Sequence, residues 1–249
     1  MTPGIRPLIA GNWKMNGTIR EAIALAEAVG QGAPRGEADP DLVVFPPFPH
    51  LHAVGSILMG HGVAMGAQTC HAEPKGAHTG DVSAAMLRDI GCAYVLLGHS
   101  ERRMNHHESD ADVRDKGAAA IMVGLVPVVC VGETMAQKAA GQSESVIQRQ
   151  LQNSLPDRFS TARGVVAYEP DWAIGTGKTP SEEDITTIHA LLRHLAPAGT
   201  RLLYGGSVKP GNAPVILALP NVDGVLVGGA SLAAADFLAI AAAAALREA

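Results

Sequence analysis

Cysteine is scarce in this chain: Cys70, Cys92 and Cys130 are the only three in 249 residues. They are too few and too scattered for a disulfide framework or a zinc knuckle, so reduced thiols in a cytoplasmic protein are expected. Positive charge is not in excess either. The formal net charge is −5 and the sequence pI about 6.0, which lacks the basic footprint of a nucleic-acid binder. Long apolar runs are absent as well. The longest, near Ala233–Leu246, is alanine-rich, is interrupted by Asp236 and reads as a final packing helix rather than a membrane span. Only Leu8, Ile9 and Ala10 precede Asn12 and Trp13, too short a run for a signal peptide. No nucleic-acid or membrane partner is expected. The dinucleotide fingerprint after the first strand-like run is missing, and no cysteine–histidine spacing looks like a metal site, so neither cofactor nor metal is expected.

Short apolar, β-branched runs do recur, at Leu8–Ala10, Leu42–Phe45, Val63–Ala67, Tyr94–Leu97, Val126–Val131, Val165–Tyr168, Leu202–Tyr204 and Val225–Val227. Most are continuous rather than alternating, as parallel strands covered on both faces require. Helical faces lie between them, among them Ala22/Ile23/Ala26/Val29, Leu51/Val54/Ile57/Leu58 and Val146/Ile147/Leu151. Strand then helix, about eight times in roughly 250 residues, is the pattern of an α/β chain closed into a single (β/α)8 barrel. A doubly wound open sheet is the alternative. Nothing has the composition of an interdomain linker, so residues 1–249 read as one domain.

The stretch Gly164–Lys178 carries the clearest functional signal. A buried run ends at Pro170 with Glu169 at its exit, and a loop with two glycines and a cation follows, placed to act as a lid. Thr179, Pro180 and Glu182 then read as N-cap, first helical residue and capping-box acid. In a barrel the loops leaving the strand C-termini share one face. Those exits offer Asn12 and Lys14, then Gln68 and the polar loop Thr69–Asp81, then His99, Ser100 and Glu101. Cys130 and Glu133 follow, then Glu169, Gly205–Gly206–Ser207 and Gly228–Gly229.

Glycines after the last two strands let backbone amides approach an anion, which favours a phosphate site there, with Gly175 of the lid adding a donor on closure. The same glycines would also serve as tight turns. Opposite that site Glu169, His99 and Lys14 suit proton transfer beside a carbonyl: Glu169 takes the carbon-bound proton, while His99 and Lys14 stabilise the oxygen that becomes negative. His99 opens a helix, whose dipole disfavours added positive charge, so a neutral, hydrogen-donating imidazole is expected. Arg102 and Arg103 read as structural ion-pair partners and Cys130 as a packed thiol. His50, His52, His106 and His107 read as solvent-facing or interface residues.

Seven motifs together resemble the triosephosphate isomerase family along the whole chain. They are Gly11–Asn12–Trp13–Lys14–Met15–Asn16, Gly98–His99–Ser100–Glu101–Arg102–Arg103, Cys130–Val131–Gly132–Glu133, Tyr168–Glu169–Pro170, Trp172–Lys178, Tyr204–Gly205–Gly206–Ser207–Val208 and Gly228–Gly229–Ala230–Ser231–Leu232. That family is itself a standard illustration of pKa tuning, so the acid–base roles above are not independent of it.

The resemblance implies a TIM barrel that interconverts dihydroxyacetone phosphate and glyceraldehyde 3-phosphate without a cofactor, in glycolysis and gluconeogenesis. It implies Glu169 as base, His99 as electrophile, Lys14 as electrostatic anchor, Asn12 orienting oxygens and Glu101 supporting them. Gly175, Ser207, Gly228 and Gly229 would hold the phosphate. It further implies a homodimer in which the loop Thr69–Asp81 enters the partner and Thr79 buttresses the partner's site. Asp171 departs from the branched apolar residue usual at that hinge position, Thr69 from a frequent asparagine, and His78 and His106 from phenylalanine. A barrel enzyme acting on another small sugar phosphate, or a non-catalytic scaffold, are the competing readings.

Overall fold

The computed structural model describes residue 2 and residues 4–160, 164–174 and 179–245. Eight strands, β1 (Leu8–Asn12), β2 (Asp41–Phe45), β3 (Val63–Ala67), β4 (Tyr94–Leu97), β5 (Val126–Val131), β6 (Val165–Tyr168), β7 (Arg201–Tyr204) and β8 (Gly224–Val227), close into one barrel in sequence order. Every pair is parallel, and β1 closes the ring on β8 with Leu8 opposite Gly224. The expected strands are all present. The first runs two residues further than its apolar core, so the polar Asn12 ends β1 in register with Phe45.

The continuous apolar runs are explained by two cores, one on each face of the sheet. Leu8, Ala10, Val43, Phe45, Leu96, Val128, Cys130, Val165, Ala167, Leu203 and Leu226 fill the barrel interior. Their neighbours Ile9, Val44, Val95, Leu97, Val129, Val166 and Leu202 point outward against the helices. Alternate residues thus face different apolar layers, and neither face is polar. Phe45 is the bulkiest interior side chain, and Gly66 beside it makes room: a Cβ there would lie 2.3 Å from the Phe45 ring.

The outer layer contains α1 (Ile19–Gly32), α2 (Leu51–Leu58), α3 (Ala84–Asp89), α4 (Ser100–His106), α5 (Asp110–Met122), α6 (Met135–Ala139), α7 (Ser143–Ser154), α8 (Glu182–Leu195), α9 (Ala213–Ala218) and α10 (Ala234–Ala245). None of these helices is long and apolar enough to cross a membrane. The start of α8 differs from expectation. Its N-cap is Ser181, whose hydroxyl accepts from the Asp184 amide while Asp184 accepts from the Ser181 amide. Thr179–Glu182 and Ser181–Asp184 are overlapping capping-box patterns. The later one places Glu182, Glu183 and Asp184 together in the first turn, where the helix dipole favours them.

Candidate active site

The exits of β1, β4, β6, β7 and β8 surround a cavity of about 670 Å³ lined by Asn12, Lys14, His99, Glu169, Ser207, Gly228 and Gly229, among others. The expected acid, imidazole, ammonium and glycine loops therefore meet at one rim. Gly175, expected in the phosphate site, and residues 176–178 of the expected lid lie outside the described residues.

Glu169 follows β6 directly and is 2% exposed. Its backbone continues the ladder, donating to the Val131 carbonyl at 2.8 Å. Oε2 accepts from the Ser100 amide at 3.0 Å, and Oε1 stands 3.2 Å from His99 Nε2. Cys130 lies against the same carboxylate. Burial, with the Glu169 charge second, pushes its thiol well above the ordinary range. It is a packed thiol, as expected, and no nucleophile.

His99 caps α4: its Nδ1 accepts from the Glu101 amide at 3.2 Å. A ring nitrogen that accepts carries no proton, so the imidazole proton sits on Nε2 and faces Glu169. The backbone before it is fixed from two sides. Gly98 adopts φ +67°, where a Cβ would lie 2.7 Å from Val113 and 2.8 Å from the Arg103 guanidinium. Its amide donates to Glu108 at 3.0 Å and its carbonyl accepts from Arg103 Nε at 2.8 Å.

Arg103 also pairs with Asp110 and donates to the Cys130 carbonyl, lacing the β4 exit to β5. Arg102 and Lys116 both hold Glu108. Burial opposes charge on Glu108, but Lys116 and Arg102 outweigh it and keep the carboxyl below its usual range. Both arginines are structural partners, as the sequence reading expected.

Lys14 occupies the left-handed region at φ 52°, a strained conformation for a side-chain-bearing residue. Asn12 Oδ1 accepts from the Lys14 amide at 3.0 Å, and Gln68 Nε2 donates to its carbonyl at 2.8 Å. Asn12 thus acts on Lys14 as well as lining the cavity. The ammonium of Lys14 lies 2.5 Å from Glu101 Oε1. On the far side, the Ser231 amide and hydroxyl both donate to the Gly228 carbonyl and pin the turn Gly229–Leu232. The first amides of such a turn have no partner within it, which is the local feature that suits an anion.

Ser100 and Lys209 have roles that their residue types do not announce. The Ser100 amide holds the base, and Lys209 adds a cation to the cavity wall. Their only signal is position, three residues past the end of β4 and five past the end of β7. Glu133 was noted without a role; its Oε1 accepts from the Tyr168 hydroxyl and the Trp172 indole at 3.2 and 3.0 Å.

His50 was expected to face solvent or an interface. It is buried rather than solvent-facing, with Nε2 on the Gly17 carbonyl at 2.9 Å, because the turn before α2 packs against the loop after β1. One group among the described residues could surround a cation: His71, His78 and Asp81. However, His71 Nδ1 accepts from the Glu73 amide at 2.9 Å, leaving the proton on the nitrogen that would have to ligate.

Comparison with known proteins agrees with this geometry. The triosephosphate isomerase family model matches residues 7–244. A triosephosphate isomerase of Afipia carboxidovorans is 54% identical over 247 residues, covering 96% of this chain and 98% of its own. One from Acidiphilium cryptum is 52% identical over 252 residues, with 96% and 98% covered. The crystal structure of triosephosphate isomerase from Bartonella henselae superposes with a TM-score of 0.88 at 42% identity, over 96% of this chain and 99% of that one. The chain belongs to the triosephosphate isomerase family.

Proposed function

We infer that this chain, as a single catalytic domain over residues 1–249, interconverts dihydroxyacetone phosphate and D-glyceraldehyde 3-phosphate, an intramolecular oxidoreduction that serves glycolysis and gluconeogenesis. The carrying observation is the 3.2 Å approach of His99 Nε2 to Glu169 Oε1 at the wall of a cavity that also holds Lys14. A substrate in that cavity, lying against both, offers its carbon-bound proton to Glu169. The electrons of that C–H bond form the C=C of an enediol(ate), and the carbonyl oxygen takes the charge. The Nε2 proton of His99 and the ammonium of Lys14 stabilise that oxygen, each such donor typically contributing about 3 kcal/mol to the transition state. The hydroxyl proton on the first carbon passes to the former carbonyl oxygen while Glu169 returns its proton to the neighbouring carbon, so nothing is consumed and no cofactor takes part.

Asn12 holds Lys14 in place and Glu101 pairs with its ammonium. Ser207, Gly228, Gly229 and, from the sequence, Gly175 hold the phosphate. A coupled assay of ketose-to-aldose conversion tests the reading. Glu169→Gln should cost about 10² to 10⁴-fold in kcat or more, and near-wild-type activity in that variant would sink the assignment.

The working unit we propose is a homodimer in the cytoplasm. Residues 73–81 stand exposed on the loop that follows β3, and Met15 and Met86 expose large apolar side chains (94% and 58%) near its two ends. The three cysteines are free and buried, which suits a reducing compartment. The negative formal charge supports no role for nucleic acid.

A further inference from the structure

Behind the base stands a second acid that the proton-transfer chemistry does not use. Asp171 opens the short turn Asp171–Ala173 after Pro170, and its amide donates to the Glu133 carbonyl at 3.1 Å. Gly132 makes this packing possible: a Cβ there would lie 1.7 Å from the Glu169 carbonyl oxygen and 3.4 Å from Asp171 Oδ1. The segment carrying both acids therefore lies flat on the β5 exit, directly beside Glu133. Glu133 is 1% exposed, and its Oε2 has no hydrogen-bond partner among the described residues. Asp171 is half-buried and does not line the cavity, so any influence on substrate passes through Glu169.

We propose that Asp171 is a positioning residue for the base: while protonated it leaves Glu169 as the charged member of the pair, and on losing its proton it sets a second negative charge against the base. The charged groups around it support this. Burial first, then Glu169, then Glu133, push the Asp171 carboxyl up to about 7, and Arg103 alone opposes them. Lys138 is engaged elsewhere, over the Trp172 ring at 4.7 Å and against Asp184 at 2.9 Å. A branched apolar residue at this position would carry no such ionisation. Below pH 7 the site holds the base's charge. Above pH 7 the added charge pushes against the Glu169 carboxylate and weakens its placement on the Ser100 amide.

This rests on the isomerase reading, and the test separates the two. In wild-type enzyme with 13C-labelled aspartate, the Asp171 carboxyl signal, identified by its loss in Asp171→Asn, should titrate with a midpoint near pH 7. In Glu169→Gln that midpoint should move toward acid. The ratio of wild-type to Asp171→Asn kcat/KM cancels titration of the substrate phosphate. It should be constant below about pH 6 and fall about threefold or more above pH 7, the scale of one partly screened charge. Asp171→Val should match Asp171→Asn, which a purely structural role would not produce. A midpoint in the ordinary aspartate range, or a flat ratio in an active enzyme, overturns the role of Asp171. No isomerase activity in wild type would instead overturn the functional reading.

Discussion

His99 Nδ1 accepts a hydrogen bond from the Glu101 amide at 3.2 Å, and this contact decides which way the imidazole serves the site. Because α4 begins there, one of its unsatisfied amides is met by the ring and the remaining proton is directed at the cavity. Nitrogen-15 chemical shifts of His99 should show Nδ1 bare and Nε2 protonated. His99→Gln, which keeps a donor but not its placement, should lower kcat by about 10² to 10³-fold with little change in KM, as removal of one oxyanion donor does. A proton found on Nδ1 would reverse the assignment of His99 as the hydrogen-donating group.

Gly205, at the exit of β7, is where the base meets its neighbouring strand. A Cβ at that position would lie 2.8 Å from Glu169 Cγ and 3.2 Å from the Tyr168 carbonyl oxygen. Gly205→Ala should displace the carboxylate from Ser100 and His99. We expect kcat to fall at least about tenfold, since small misplacements of a catalytic group are costly. The barrel should keep its far-ultraviolet circular dichroism spectrum. Full activity in this variant would mean that the base tolerates a shifted backbone.

The loop after β3 gives the third prediction. His71 and His78 stack with ring centroids 3.9 Å apart, and His71 Nε2 lies 3.9 Å from Asp81 Oδ2. His78 and His106 occupy positions that the resemblance makes phenylalanine in many relatives and interface residues in a dimer. Charging them in acid makes the interface bury imidazolium, which is costly. Sedimentation should give a dimer dissociation constant at least about tenfold larger at pH 5.5 than at pH 8, reduced in His78→Phe. Equal constants at the two pH values would refute it.

Local signals explain what was readable in the sequence. Continuous apolar runs such as Val126–Val131 mark strands buried on both faces, and the barrel follows from repeating them. Polar exits such as Lys14, His99 and Glu169 are legible because topology brings every strand end to one rim. What the sequence did not show depends on partners distant along the chain. The Ser100 amide meets Glu169 69 positions away, and Gln68 meets Lys14 54 positions away. Ser181 displaced Thr179 as the cap of α8 because two equivalent boxes overlap, and only packing chooses between them.

His189 links pH to stability away from the site. It is fully buried on α8, with Nδ1 donating to the Asn221 carbonyl at 3.0 Å and Nε2 without a partner among the described residues. Burial is the main reason its folded value falls to about 4. In the unfolded chain a histidine takes up its proton near pH 6.5. Between those values the unfolded chain binds more protons than the folded one, so stability falls as pH drops from about 6.5 to 4, by at most about 3 kcal/mol from this residue, and changes little above 6.5. Urea unfolding at fixed protein concentration should show that loss between pH 7.5 and pH 4.5. His189→Gln, whose amide can still donate to the Asn221 carbonyl, should start less stable at pH 7.5 and lose less on acidification. If wild type and His189→Gln lose stability in parallel across that range, the buried imidazole is not the group responsible.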